Sequence, residues 1–278
     1  MLRQDLKRGL TSWGFWVGMG AYAVFIILLI LDAARYNVYA TPLSAFTSIC
    51  YDETNILPVV ICVLPLGTAF YDEWTSKNYR MFLPRCGWRR YTCSRIGATA
   101  ILGALIVGVP IAIGMGTCYM IFPEESYAEL GNGFFRGMSN IDDLPFILSW
   151  FPGGGEELMN ASAEKLAKAE RSYSLVRVLF YFVFGACWAQ LGLAVSAWLD
   201  NWATILVLPL GVFMMFTHLF SAAFVNLFGS SQLVNPISML LLGYWDYPLW
   251  VTCVMPFVWA GIFIALFLWG IRRRKLHE

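Results

Sequence analysis

Six stretches of this chain are long and apolar enough to cross about 30 Å of hydrocarbon as helices, and they bound what it can fold into. They lie at 15–31, 55–71, 96–121, 177–198, 202–225 and 249–271. A water-soluble globule could not cover them, because charged residues make up only 13% of the chain against about 25% in soluble domains. The same arithmetic excludes a disordered chain, a coiled coil and a small disulfide scaffold. The expected fold is an all-α polytopic membrane protein, with residues 1–278 forming one transmembrane domain. Pro58 and Pro65 in the second stretch and Pro209 in the fifth read as kinks rather than ends, since neighbours in a membrane can satisfy the freed backbone groups. No small-x-small cleavage site follows the first apolar run before Asp32, so that run is expected to remain as a span.

Charge placement sets the expected orientation. With the N-terminus inside, the inner segments hold Arg3, Lys7, Arg8, Lys77, Arg80, Arg85, Arg89, Arg90, Arg95, Arg272, Arg273, Arg274 and Lys275. The outer segments hold only Arg35, Arg136, Lys165, Lys168, Arg171 and Arg177. The positive-inside rule therefore predicts a multi-pass membrane protein with both termini cytoplasmic, a parity that six spans satisfy.

The segments between spans carry the functional expectations. Leu2, Leu6, Leu10 and Trp13 recur at helical spacing, which predicts an amphipathic helix over 1–14 lying in the inner interface with its apolar side down. A basic tail that only sets topology is the alternative. In the cytoplasmic loop 72–95, Trp74, Tyr79, Met81, Phe82, Leu83, Trp88 and Tyr91 interrupt six basic residues. A short helix over 73–83 is expected there, broken at Pro84 and Gly87 and restarting at Trp88. Such a projection suits docking to another protein, while interface anchoring is the simpler reading of its aromatic residues. Loop 122–176 reads as an extracellular, solvated lid with a helix over 156–171; its acids have no EF-hand spacing. Residues 226–248 carry break signals at Gly229, Asn235 and Pro236, with Gly243 allowing close return of the chain. They read as a re-entrant helical hairpin before the last span, or alternatively as a surface-lying helix.

Several chemistries have no residues to carry them. The chain contains no GxxxxGK[ST], HExxH or GxSxG pattern and no Rossmann fingerprint. Its seven Cys form no CxxC pair, and with two His they leave no expected metal site and no cofactor bound by this chain. Gln190, mid-span, is expected to hydrogen-bond across a helix interface, and His218 to be a packing residue rather than a proton relay. These two are the candidates for a pathway or interface. Intramembrane charge is otherwise scarce, so any transport must draw its energy from elsewhere.

One family fits this layout. An interfacial helix, six spans, a basic loop after the second and a re-entrant segment before the sixth resemble the permease subunit of type-2 ATP-binding-cassette exporters. The local anchor is Asp72-Glu73, then Lys77, Tyr79 and Arg80, then Met81-Phe82-Leu83-Pro84-Arg85 and Trp88-Arg89-Arg90. Glu73, Leu83 and Arg89 match the family's acidic residue, leucine-rich piece and basic residue. The usual Gly after the glutamate is missing, and Gly87-Trp88 stands where Ile-Ser is common. The resemblance implies a separate nucleotide-binding ATPase subunit that carries ATP and Mg, and a second permease copy or a homologous permease. It also implies a coupling helix within 73–90 and export of a peptide, drug or lipid-like cargo, as in bacterial immunity or antibiotic-resistance transporters. Glu73, Lys77, Phe82, Leu83 and Arg89 are then the expected coupling residues, with Glu73 pairing to Lys77 one turn on. Membrane lipids are expected partners and nucleic acid is not. The competing classes are a non-transporting scaffold or sensor subunit and a membrane-embedded lipid-modifying enzyme.

Overall fold

The computed structural model describes residues 1–36, 42, 45–46, 56–64, 67–77, 87–122, 163–220, 223, 226 and 249–276, and among them all regular structure is helical. The helices are α1 (Leu2–Thr11), α2 (Trp13–Tyr36), α3 (Ile56–Ile61), α4 (Gly67–Thr75), α5 (Trp88–Ile121), α6 (Ala163–Trp198), α7 (Trp202–Met214) and α8 (Leu249–Leu276). A π-helical turn, Met215–Phe220, continues α7. Five segments are long and apolar enough to cross a membrane: Trp13–Arg35, Trp88–Ile121, Ser174–Trp198, Trp202–Phe220 and Cys253–Arg274. The protein is therefore a multi-pass helical membrane protein.

The bundle is organised around α5 and α6, which pack more extensively on each other than any other pair. Their crossing rests on Gly103 and Gly185, where a Cβ on either residue would strike the backbone carbonyl of the other. Between helices in lipid, where apolar contact with a neighbour gains little over contact with acyl chains, such close backbone approach supplies the packing. Toward α7 and α8 the core is aromatic. Trp188 of α6 sits 5.2 Å from Phe213 and 5.7 Å from Phe263, ring centre to ring centre, and Phe216 meets Trp259 edge-on at 4.7 Å. Of the most apolar stretch of α6, 72% is buried inside the protein, against 17% for α7.

Helix ends follow local chemistry. Ser12 is extended between α1 and α2; its hydroxyl donates to the Gly9 carbonyl (2.7 Å) and accepts from the Phe15 amide (3.3 Å), which caps the new helix. The Asn201 side chain accepts from the Ala203 amide at 3.0 Å and starts α7. Gly87 precedes α5 at φ +71°, ψ 151°, a backbone state that side-chain-bearing residues rarely adopt.

Several expectations require correction. The second span is not one uninterrupted helix: α3 stops at Ile61, residues 62–64 form a turn, and α4 starts at Gly67. Leu64 precedes Pro65, and ring sterics disfavour the helical state at that position, so the proline acts as more than a kink. Of the helix expected over 73–83, residues 78–83 lie outside the described residues and residues 73–75 belong to α4. Helix α4 covers Gly67–Thr75 and ends where Lys77 takes φ +56° with its amide bonded to the Trp74 carbonyl. The restart at Trp88 is observed. Part of the helix expected over 156–171 is continuous with the fourth span, as α6. Residues 123–162, which hold most of the outer loop, and 227–248, which hold most of the re-entrant segment, lie outside the described residues.

Candidate functional site

One end of the bundle collects α1, the C-terminal turn of α4, the first turns of α5 and the C-terminal ends of α6 and α8. The sequence places basic residues in α1, at the start of α5 and at the end of α8. The centre of this end is a buried cluster of ions. Glu73, 6% exposed near the end of α4, accepts hydrogen bonds from both Arg95 of α5 and Arg8 of α1. Tyr91, one turn before Arg95, donates its hydroxyl to the same carboxylate at 3.1 Å. Asp5 of α1, also buried, accepts from the Ser94 hydroxyl at 2.5 Å and faces the Arg95 guanidinium at 3.6 Å.

The local sequence explains this convergence. Asp5 and Gly9 fall one turn apart on α1, and both are buried, with Gly9 close against Leu102 of α5. A small residue beside a short acid lets α1 lie near enough for its carboxylate to meet Ser94 and Arg95. Burying charge costs several kcal/mol per ion unless it is paired and hydrogen-bonded. Here the Glu73 carboxylate receives three donors, and Arg95 holds two carboxylates. The Nε and Nη1 atoms of Arg95 are buried with no hydrogen-bond partner among the described residues.

A second set of contacts braces the same end. Arg274 of α8 donates from Nε to the Ala197 carbonyl (2.6 Å) and from Nη2 to that of Leu199 (3.3 Å), satisfying orphan carbonyls at the end of α6. Its guanidinium also pairs with Asp200 at 2.7 Å and lies 5.3 Å from the Trp74 ring centre. The Tyr71 hydroxyl donates to the Asp200 carbonyl at 3.2 Å. Helices α4, α6 and α8 are thereby tied together beside the ion cluster.

The expected site residues are distributed as follows. Glu73 is at the centre, but it pairs across helices with Arg95 and Arg8 rather than with Lys77, which is exposed beyond the helix end. Arg89 lies exposed in the first turn of α5. Phe82 and Leu83, and likewise Gly229, Asn235, Pro236 and Gly243, lie outside the described residues. Gln190 makes the interhelical bond expected of it, donating to the Ile96 carbonyl of α5 at 3.0 Å. His218 is exposed in the π-helical turn rather than packed in the interior.

Sequence reasoning missed Asp5, Tyr91, Ser94 and Arg95 as members of the site. The available signal was Arg95 itself, an arginine that the start of an apolar helix draws inward and that therefore needs an acid. Among the described residues no group of His, Cys, Asp and Glu could hold a metal ion. No known protein family matches the chain, and no curated protein is significantly similar to it.

Proposed function

We propose that this chain is the membrane-spanning permease subunit of an ATP-driven exporter, working with a separate ATPase and a second permease. The observation that carries the reading is the three-way junction at Glu73. Residues 78–86 connect α4 to α5, and Glu73 and Arg95 brace these two helices at the ends that the connection joins. Arg8 and Asp5 fasten the interfacial helix to the same point. A force applied to that segment by a docked partner would move α1, α4 and α5 together, as a coupling element requires.

Connectivity supports six crossings. Trp13 and Glu73 lie near the same end and α2 carries the chain away from it, so α3 and α4 serve in this reading as a broken second span. Helices α5 to α8 then add four crossings that bring Arg274 back beside Asp200. A re-entrant hairpin between α7 and α8 belongs to the same reading, and the basic end is the cytoplasmic one. The cargo class is a peptide, drug or lipid-like molecule.

The deciding experiment is affinity capture of the tagged chain from its native membrane, followed by hydrolysis measurements on the captured complex in nanodiscs. A Walker-motif ATPase should co-purify. Phe82→Ala with Leu83→Ala should release it or uncouple its hydrolysis from cargo, while the permease remains in the membrane. Wild-type association and cargo-dependent hydrolysis in that double variant would remove the coupling role from 78–86.

A further inference from the structure

Beside the ion cluster, α1 and the base of α5 enclose a surface cavity of about 380 Å³, lined by Gln4, Asp5, Lys7, Arg8, Thr11 and Arg95. Its charge is unbalanced toward the positive. The two carboxylates nearby are already engaged, Asp5 by Ser94 and Arg95, and Glu73 by Arg8, Arg95 and Tyr91. The same two carboxylates engage Arg8 and Arg95, which leaves Lys7 as the surplus cation on the lining. Arg95 is 2% exposed, lines the cavity, and has two buried N–H-bearing nitrogens without partners among the described residues. An arginine this deep, its charge paired but two donor nitrogens unmatched, has hydrogen-bonding capacity left for an acceptor.

The rim is apolar. Leu2 and Leu10, at the two ends of α1, are 42% and 38% exposed, and Trp13, where α2 begins, is 85% exposed. Trp16 is exposed as well, with its indole N–H donating to the Leu10 carbonyl at 2.6 Å. Exposed tryptophans and leucines on the helices that border a cationic recess suit a group that is charged at one end and fatty at the other. Basic recesses at this depth recognise anionic lipid headgroups.

We infer that the cavity between α1 and the base of α5 binds the phosphate of an anionic glycerophospholipid, with Lys7 and Arg8 meeting the headgroup over Arg95. Such a lipid would fasten α1 to the membrane and to α5 at once. The inference does not depend on transport.

The full-length protein, reconstituted into vesicles of equimolar phosphatidylglycerol and phosphatidylcholine and re-extracted in mild detergent, provides the test, with retained lipid quantified by mass spectrometry. Wild type should retain phosphatidylglycerol in excess, and Lys7→Gln should reduce that excess about fivefold, the effect of about one surface cation. Arg3→Gln, a cation on the same helix outside the cavity, should leave it unchanged. A rise in thermal midpoint of the lipid-free protein with inorganic phosphate, lost in Lys7→Gln and unaccompanied by lipid enrichment, would assign the same chemistry to a soluble phosphate. Equal retention of the two lipids without a phosphate effect would overturn the proposal, as would equal losses in the two variants.

Discussion

Arg95, near the start of α5, and Arg8 of α1 donate to the same carboxylate, that of Glu73 on α4, and Arg95 is the more buried of the two cations. The asymmetry decides what each substitution should do. Glu73→Gln leaves the buried Arg95 guanidinium with only the longer Asp5 pair and should destabilise the protein by about 3–5 kcal/mol. Arg8→Ala, at a side chain 57% exposed, should cost no more than about 1 kcal/mol. Lys77→Ala should be neutral. Heat-induced aggregation in detergent ranks the three, and a Lys77 variant as unstable as the Glu73 variant would restore the local pair in place of the interhelical one.

The α5–α6 crossing makes a second prediction. Gly103→Ala and Gly185→Ala each put a methyl group into an opposing carbonyl and should cost about 1–3 kcal/mol through forced separation of the helices. Gly211→Ala is the control, because a Cβ there meets nothing within 4 Å. A thermal midpoint for Gly103→Ala equal to that of the control would mean the two backbones are not in contact.

Trp188 separates packing from polarity. It is 1% exposed, and its indole nitrogen has no hydrogen-bond partner among the described residues. Trp188→Ala should lose about 3–5 kcal/mol by opening a cavity among Phe184, Phe213 and Phe263. Trp188→Phe should keep most of that stability, since it removes a buried donor along with part of the ring. Similar losses in both variants would show that the N–H, rather than the ring, is what the site uses.

Orientation is tested by thiol labelling of intact cells. In a background lacking reactive native cysteines, an impermeant reagent should modify Glu157→Cys and spare Lys77→Cys. Cys93 and Cys253 are exposed and must be replaced first. Modification of the Lys77 site alone would invert the protein in the membrane.

The sequence made apolar length and charge asymmetry legible, and with them the membrane class and the convergence of basic helix ends. Gln190 was legible for the same reason: a lone amide in an apolar span must find a partner, and it finds the Ile96 carbonyl. The orientation of α1 was not. Its apolar periodicity runs through Leu2, Leu6 and Leu10, yet the residues it buries are Asp5 and Gly9. That choice belongs to α5, which presents Ser94 and Arg95, and periodicity within one helix cannot reveal what a neighbour offers. Glu73 was identified by its position in a motif but given the wrong partner. A local pair is visible in sequence, whereas its actual cations are 22 and 65 residues away.

The contact of Gly103 with Gly185 also governs where this bundle can move. Two helices whose backbones touch have no side-chain layer to shear, so α5 and α6 act as a single stator. Helix α7 is held differently: over Trp202–Met214 it buries only Ile205, Pro209 and Phe213, and its ladder widens into a π-turn immediately afterward. Displacing it breaks few contacts and no ion pairs among the described residues, and it uncovers the aromatic floor around Trp188. Among the described residues, the seam between α7 and that stator opens at low mechanical cost.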